Sequence, residues 1–351
     1  MPTSAPPPTL SHLQRLSDGF GIVEHAYLSE PRSDATYCTD DAGRLLALTS
    51  HMGEYRHARQ LATLAIDFLE RAYRGDATFR LRHDAQGRWS SEVSDDATGR
   101  ALLGLGHAAA YSPWPGVQRR SLALFTRAAN FRSDHLRAAA YATLGATVLL
   151  RAMPRHEGAL QLVDESPAFV ADGTDSAWPW LESRLAYANA LLPLAELARA
   201  QLRRDEVAGA NALAVLTWLC DEETLGDHFS FTPVNGRGPL EARPQFDQQP
   251  IEAWAMSEAC VFAFTYSHDP VWLERARVAG SWFLANNDVG VAVYDPRTGG
   301  GFDGLEANGV NLNEGAESTL SFVATMRELQ AVAAFEPVLS DQATSRKASS
   351  R

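Results

Sequence analysis

Apolar residues recur with helical spacing in twelve stretches of this chain, and the segments joining them alternate between very short and long in a fixed phase. The spacing predicts helices over 9–17, 40–51, 55–73, 95–111, 117–130, 134–152, 156–170, 180–202, 205–223, 248–267, 270–286 and 314–332. Tight turns at Gly53-Glu54, Ser112 to Gly116, Met153 to Arg155 and Ser267 to Asp269 join hairpin partners. The long connections, Asp18 to Thr39, Arg74 to Ser94, Ala171 to Pro179, Thr224 to Asp247 and Asn287 to Asn313, each precede the first helix of a hairpin. Helices that run alternately up and down must then place every long connection at one end of the molecule, the end where function usually resides. Within these loops, Phe79 to Val93 and Val291 to Phe302 read as small β-hairpins. The expectation is an all-α toroid of helical hairpins, one domain over 10–334, with disordered ends at 1–9 and 335–351.

With 45% apolar residues, the 351-residue chain can bury a large core. Its net charge of −12 repels phosphate backbones and anionic headgroups, so neither nucleic acid nor a membrane surface is an expected partner. The longest small-or-apolar run, Ala138 to Leu150, is short of the ~20 residues that span a bilayer. Met1 to Leu10 lacks a basic start and an apolar stretch, so no secretion signal is expected and the cytoplasm is the expected compartment. Cys38, Cys220 and Cys260 are widely spaced, without a metal-binding pattern, and are expected to be reduced thiols; no metal or cofactor is called for. Gly104-Leu105-Gly106 lies inside a helix and is no dinucleotide loop, and neither Asp-Asp pair extends to a DDxxD pattern.

Five of the expected inner helices begin with acids or amides beside an aromatic residue. The clusters are Tyr37 with Asp40 and Asp41; Trp89 with Glu92, Asp95 and Asp96; Trp178 and Trp180 with Glu182, Tyr187 and Asn189; Phe246 with Asp247, Gln248, Gln249 and Glu252; and Phe302 with Asn311, Asn313, Glu314 and Glu317. Two of these starts echo one another, Thr39-Asp40-Asp41-Ala42-Gly43-Arg44 and Ser94-Asp95-Asp96-Ala97-Thr98-Gly99-Arg100. Helix capping accounts for Thr39, Ser94 and one of Asp247 or Asn313, and i,i+4 pairing with Arg44 and Arg100 accounts for part of each Asp-Asp pair. Capping needs no aromatic neighbour, whereas a sugar does: its C–H faces pack on flat rings while its hydroxyls bond carboxylates and amides. Cleaving a glycosidic bond takes one protonated carboxyl and one carboxylate ~5–9.5 Å apart, and crowded acids raise one another's pKa enough to keep one protonated.

The alternating hairpins with acidic inner-helix starts resemble the six-hairpin, (α/α)6-barrel glycosidase superfamily. Local motifs, among them Ser17-Asp18-Gly19-Phe20-Gly21, Trp178-Pro179-Trp180-Leu181-Glu182, Phe246-Asp247-Gln248-Gln249-Pro250 and Asn311-Leu312-Asn313-Glu314-Gly315-Ala316-Glu317, are similar to a bacterial domain fused to or encoded beside GT-B glycosyltransferases. Members of that group carry Asn after the first Asp-Asp pair, where this chain has Ala42 and Gly43. The resemblance implies a role in handling glycans, with an oligosaccharide as substrate and a glycosyltransferase as a partner, and it does not fix the reaction; the paired carboxylates point to glycoside hydrolysis or phosphorolysis. Asp96 and Glu317 are the first candidates for acid and base, with Asp41, Asp95 and Glu314 beside them; Tyr37, Trp89, Trp178, Trp180, Glu182, Tyr187, Asn189, Asp247, Gln248, Gln249, Glu252 and Asn313 are candidates for substrate binding. A non-catalytic glycan-binding module and a sugar epimerase or isomerase are the alternatives. The last would use paired inner-helix histidines; His25 and His107 are the two expected near the funnel, and His107 lies far down its helix.

Overall fold

Six helices close a ring: α2 (Thr39–Thr49), α4 (Asp95–Tyr111), α6 (Leu136–Ala152), α8 (Leu191–Arg203), α10 (Pro250–Ser267) and α12 (Ala316–Ser349) each touch the next, and α12 returns to α2. Outside it, α3 (Ala58–Ala72), α5 (Pro115–Ala128), α7 (Glu157–Asp164), α9 (Glu206–Glu223) and α11 (Val271–Ser281) pack on their hairpin partners, and α1 (Ser11–Arg15) packs on α12. This computed structural model describes residues 5–32, 34, 36–171 and 177–349, with side chains described as far as Phe335. Residues 1–4 of the expected disordered N-terminus lie outside the described residues, and the backbone of α12 continues as helix into the expected C-terminal tail.

The helices match the expected ones in number and order, and local chemistry explains their starts. Ser94 accepts a hydrogen bond from the Ala97 amide (3.2 Å), as an N-cap should, and Pro115 and Pro250 sit in first turns where a missing N–H costs nothing. Thr39 is not a cap: it lies inside α2, its hydroxyl donating to the Arg80 carbonyl (2.6 Å). The N-cap position before α10 is held by Gln249, not Asp247, and the Asn313 side chain accepts from the Leu28 amide (3.0 Å). Among helix starts the largest departure is α8, expected from 180 but beginning at Leu191, because side chains draw the 180–190 segment into a loop.

Short strands lie in the long connections, all in antiparallel pairs: β1 (Ala26–Tyr27) with β2 (Glu30–Pro31), β3 (Thr36–Cys38) with β4 (Arg82–Asp84), β5 (Thr224–Leu225) with β6 (His228–Phe229), and β7 (Gly304–Glu306) with β8 (Gly309–Asn311). The hairpin expected over 79–93 is present as bridges Arg80 to Val93 and His83 to Trp89, and that over 291–302 as a bridge from Tyr294 to Gly301. The β3–β4 pair staples the loop before α2 to the loop before α4. No helix among the described residues is long and apolar enough to cross a membrane.

Glycines set the separation of α2, α4 and α6. A Cβ on Gly104 would overlap the Gly43 carbonyl oxygen, and one on Gly145 would overlap that of Leu102. Gly104-Leu105-Gly106 is thus a helix-packing device, which draws the first turns of α2, α4 and α6 and their charged side chains together. Gly104→Ala is expected to cost about 3 kcal/mol, because the clash is with backbone that cannot move aside. Gly116→Ala, with nothing within 4 Å of the added atom, is expected to hold or raise the melting temperature; differential scanning calorimetry of both variants checks this.

Candidate functional site

A cavity of about 390 Å³ opens among the long connections, at the N-terminal ends of the inner helices. Its carboxyl groups come from Glu24, Asp40, Asp41, Asp247, Asp303, Glu306 and Glu317, and its basic side chains are Arg44, Arg82 and His25. Parallel inner helices bring partial positive charge to this end, which favours carboxylates in their first turns. Acids from α2, from α12 and from the loops at 24, 247 and 303–306 share one space although they are far apart in sequence.

Three buried arginines, Arg44, Arg100 and Arg137, hold acids near the starts of the inner helices, and of these Arg44 lines the cavity. Arg44 donates to Asp41 Oδ1 (2.7 Å) and, through its other terminal nitrogen, to Glu317 Oε2. Two acids sharing one guanidinium lie at most about 7 Å apart, two hydrogen bonds plus the width of the fork. Arg100 pairs with Asp96 (3.3 Å) and lies 4.3 Å from the centre of the Tyr141 ring, and Asp96 also accepts from the Tyr187 hydroxyl (2.6 Å). Arg137 clamps Glu182 with two hydrogen bonds (2.8 and 2.9 Å) and also donates to Asn189 Oδ1 (3.2 Å) and the Tyr187 carbonyl. Of the two i,i+4 pairs expected, Asp96–Arg100 forms, whereas Arg44 turns to Asp41 at i,i+3 and leaves Asp40 free of it.

Asp40 has a buried oxygen, Oδ1, with no hydrogen-bond partner. Burial raises its pKa against the pull of Arg100 and Arg44, with the Asp96 and Glu317 carboxylates adding to the rise. Asp41 is pushed up to about 7: burial outweighs Arg44, and Glu24, Glu317 and Asp40 face it. Asp303 is also raised, burial exceeding the effect of the bonds it accepts from the Ser318 hydroxyl (2.6 Å) and the Gly315 amide (2.9 Å).

A carboxyl whose pKa is higher folded than unfolded contributes stability below its unfolded value, and that contribution is lost as pH rises through the folded one. For Asp41 this window runs from about pH 4 to about 7 and is worth about 4 kcal/mol at most. Urea denaturation is therefore expected to show stability falling between about pH 4 and 7, and Asp41→Asn is expected to flatten that slope while its amide oxygen still accepts from Arg44.

Of the residues singled out from sequence, Asp40, Asp41, Asp247, Gln249, Asn311 and Glu317 line the cavity, as does His25. Asp96 and Arg100 act electrostatically on Asp40 in the cavity wall, and Tyr187 donates to Asp96. The others serve the scaffold. Asp95 accepts from the Ser133 hydroxyl (2.6 Å), and buried Glu314 from the Thr298 hydroxyl (2.5 Å). Gln248 is fully buried, donating to Asp288 (2.6 Å) and accepting from the Trp282 indole (3.2 Å). Glu252 accepts the Ala188 and Asn189 amides, and Glu182 and Asn189 are held on Arg137; these bonds replace the expected first turns of α8 with a loop. Asn313 binds the Leu28 amide, as above.

The aromatic residues are a further correction. Tyr37 is buried, stacked on His83 (4.9 Å) with its hydroxyl on Asp18 (2.5 Å), and Trp89 packs edge-on to His83 and Phe68. Trp178 and Trp180 pack against Trp218 of α9. They wedge the long connections onto the outer helices and do not line the cavity, because a loop over a ring needs its own apolar anchor.

The chain has the fold of an (α/α)6 toroid. It superposes on a sugar epimerase from a ruminal bacterium with a TM-score of 0.65 at 13% identity, over 91% of this chain and 95% of that one. It superposes on the cellobiose 2-epimerase of Bacillus thermoamylovorans (0.64, 12% identity, 90% and 96% covered) and on a GH76 α-mannanase of Bacteroides thetaiotaomicron (0.61, 13%, 94% and 95%). No family model matches the chain, and no curated protein matches it.

Sequence reasoning missed Glu24, Arg44, Arg82, Asp303 and Glu306 as wall residues of this toroid. Arg44 and Arg100 had a signal, since each stands at the same place in an echoed motif, and a basic residue repeated on two inner helices points inward at a shared site. Glu24, Arg82, Asp303 and Glu306 had none beyond lying in long connections. The ion pair of Glu24 and Arg82 forms at 3.2 Å only because β3 pairs with β4.

His107 is not at this mouth. It meets His51 toward the other end of the ring, with His51 Nε2 and His107 Nδ1 2.8 Å apart.

Proposed function

We propose that this toroid is a carbohydrate-active enzyme, a glycoside hydrolase that takes the end of an oligosaccharide into the carboxylate-lined cavity. Asp40 is the proton donor to the leaving oxygen, and Glu317 is the carboxylate that activates water or attacks the anomeric carbon. The observation that carries this is the meeting, in one cavity, of Asp40, whose buried Oδ1 has no hydrogen-bond partner and whose pKa burial raises, and the Glu317 carboxylate held on Arg44. The remaining wall acids and Arg82 suit a ring of hydroxyl groups, and without an aromatic platform the sugar is held by hydrogen bonds. Asp96, favoured by sequence, acts through Arg100 as a positioning residue.

The test is incubation with a panel of α- and β-linked gluco-, manno- and xylo-oligosaccharides, with new reducing ends measured by chromatography. Release of a shorter sugar supports the reading. Sugar epimerisation or isomerisation is the second reading, favoured by the epimerases among the neighbours; His25 is the imidazole in the cavity wall that could serve it. It would leave chain length unchanged and bring solvent deuterium into the sugar. Intact glycan bound without turnover would favour the non-catalytic module, with a glycosyltransferase as its partner.

A further inference from the structure

A second cavity, of about 410 Å³, lies toward the opposite end of the ring. All six inner helices contribute to it, α2 through His51 just beyond its C-cap Ser50. Its apolar wall includes Leu103, Leu144, Val148, Leu194 and Val261, with Phe262 and Tyr111 presenting rings. Nothing in the chemistry proposed above uses it.

Its polar groups are unevenly matched. Arg327 is committed to Glu328 (2.9 Å), and Arg151 donates to Gln201 (2.6 Å) and lies over the Phe262 ring (5.3 Å). His51 and His107 bond to each other, and burial holds both below the usual imidazole range, His51 at about 4, so the pair is neutral. One proton sits between them, which leaves one outward nitrogen of the pair free to accept. Glu258 of α10, in contrast, has no hydrogen-bond or ion-pair partner among the described residues. The last turns of α4, α6 and α10 and the end of α2 add partial negative charge to the same space.

We propose that this cavity binds a small organic ammonium ion with an apolar body, its charge on Glu258 and its hydrocarbon against the leucine and valine wall. An unmatched carboxyl, neutral imidazoles and aromatic faces all favour a cation; Arg327 is paired with Glu328, and Arg151 is turned onto Gln201 and the Phe262 ring. The apolar lining excludes a strongly hydrated inorganic ion. Burial, and then the Glu328 carboxylate, push the Glu258 pKa up to about 7 against Arg327. The groups facing it are His51, His107, Tyr111, Arg151, Arg327 and Glu328, while α8 contributes only Leu194 and Ala198. A bound cation favours the ionised form, so binding expels a proton and weakens as pH falls below 7.

Titration calorimetry with 2-phenylethylamine, phenylacetate and 2-phenylethanol tests this on the full chain. At pH 8 the amine is expected to bind at least 10-fold tighter than the other two, and this preference is expected to shrink at pH 5.5. Glu258→Gln should lose 10-fold or more in amine affinity, and Val261→Trp, which fills the space without touching a charge, should abolish binding. Glu317→Gln should bind the amine as the parent does, which separates this site from the sugar cavity. Equal affinity for phenylacetate, unchanged binding by Glu258→Gln, or no amine binding at millimolar concentration would each overturn the proposal.

Discussion

Glu317→Gln is expected to lower glycoside turnover by 10²-fold or more while leaving the melting temperature nearly unchanged. The Glu317 side chain is 38% exposed, and its bond to Arg44 is in part a surface pair, worth at most about 1 kcal/mol. The amide keeps the shape and still accepts from Arg44, but it can neither attack carbon nor take a proton from water. Asp40→Asn is expected to be equally slow on a natural sugar for a different reason, since it removes the proton that the leaving oxygen needs. The two losses separate with an aryl glycoside whose leaving group departs without protonation: that substrate should recover most of the rate in Asp40→Asn and little in Glu317→Gln. Wild-type-like rates in either variant would remove that residue from the mechanism, and rescue in the reverse pattern would exchange the two roles.

The second large effect is on stability. Arg44→Met should cost about 3–5 kcal/mol, because it strands Asp41, 2% exposed, without its cation and returns nothing to Glu317. Adding Asp41→Leu should recover most of that loss, since a buried pair replaced by apolar side chains of similar volume is often neutral or better. The double variant would then fold with its cavity floor intact in shape but inactive, with Glu317 no longer held in place. Urea denaturation of the two variants checks the sign. A double variant no more stable than Arg44→Met would mean that Arg44 supports the ring through contacts other than Asp41. Arg44→Lys should fall between, because an ammonium reaches one of the two carboxylates but lacks the fork that spans both.

The cavity floor shows what can be seen in a chain and what cannot. Asp41, Glu317, Asp247 and Gln249 were visible because they stand at inner-helix starts under long connections, and that geometry follows from period and loop length alone. Asp95 and Glu314 stand at similar starts, yet each is spent on a neighbouring hydroxyl, Ser133 and Thr298. Nothing in the one-dimensional pattern distinguishes an acid facing the axis from one facing the next hairpin, since the two differ by about 100° of helical rotation per residue. The tryptophans misled for a related reason: an aromatic beside an acid suits a sugar site and a loop anchor equally, and Trp178 and Trp180 resolve as anchors only once Trp218 is seen beside them.

What the amino-acid order determined by itself was the repeating hairpin, the number and order of helices, and the end at which acids would gather. These are local matters of periodicity, turn residues and loop length, settled within some thirty residues of chain. Only the closed ring decided that Arg44 would bridge Asp41 and Glu317, that Glu24, Asp303 and Glu306 would join them, and that His51 and His107 would meet at the other mouth. Those are contacts between segments as far as 273 residues apart, and they exist because the ring closes α12 onto α2 and gathers the long connections at one end.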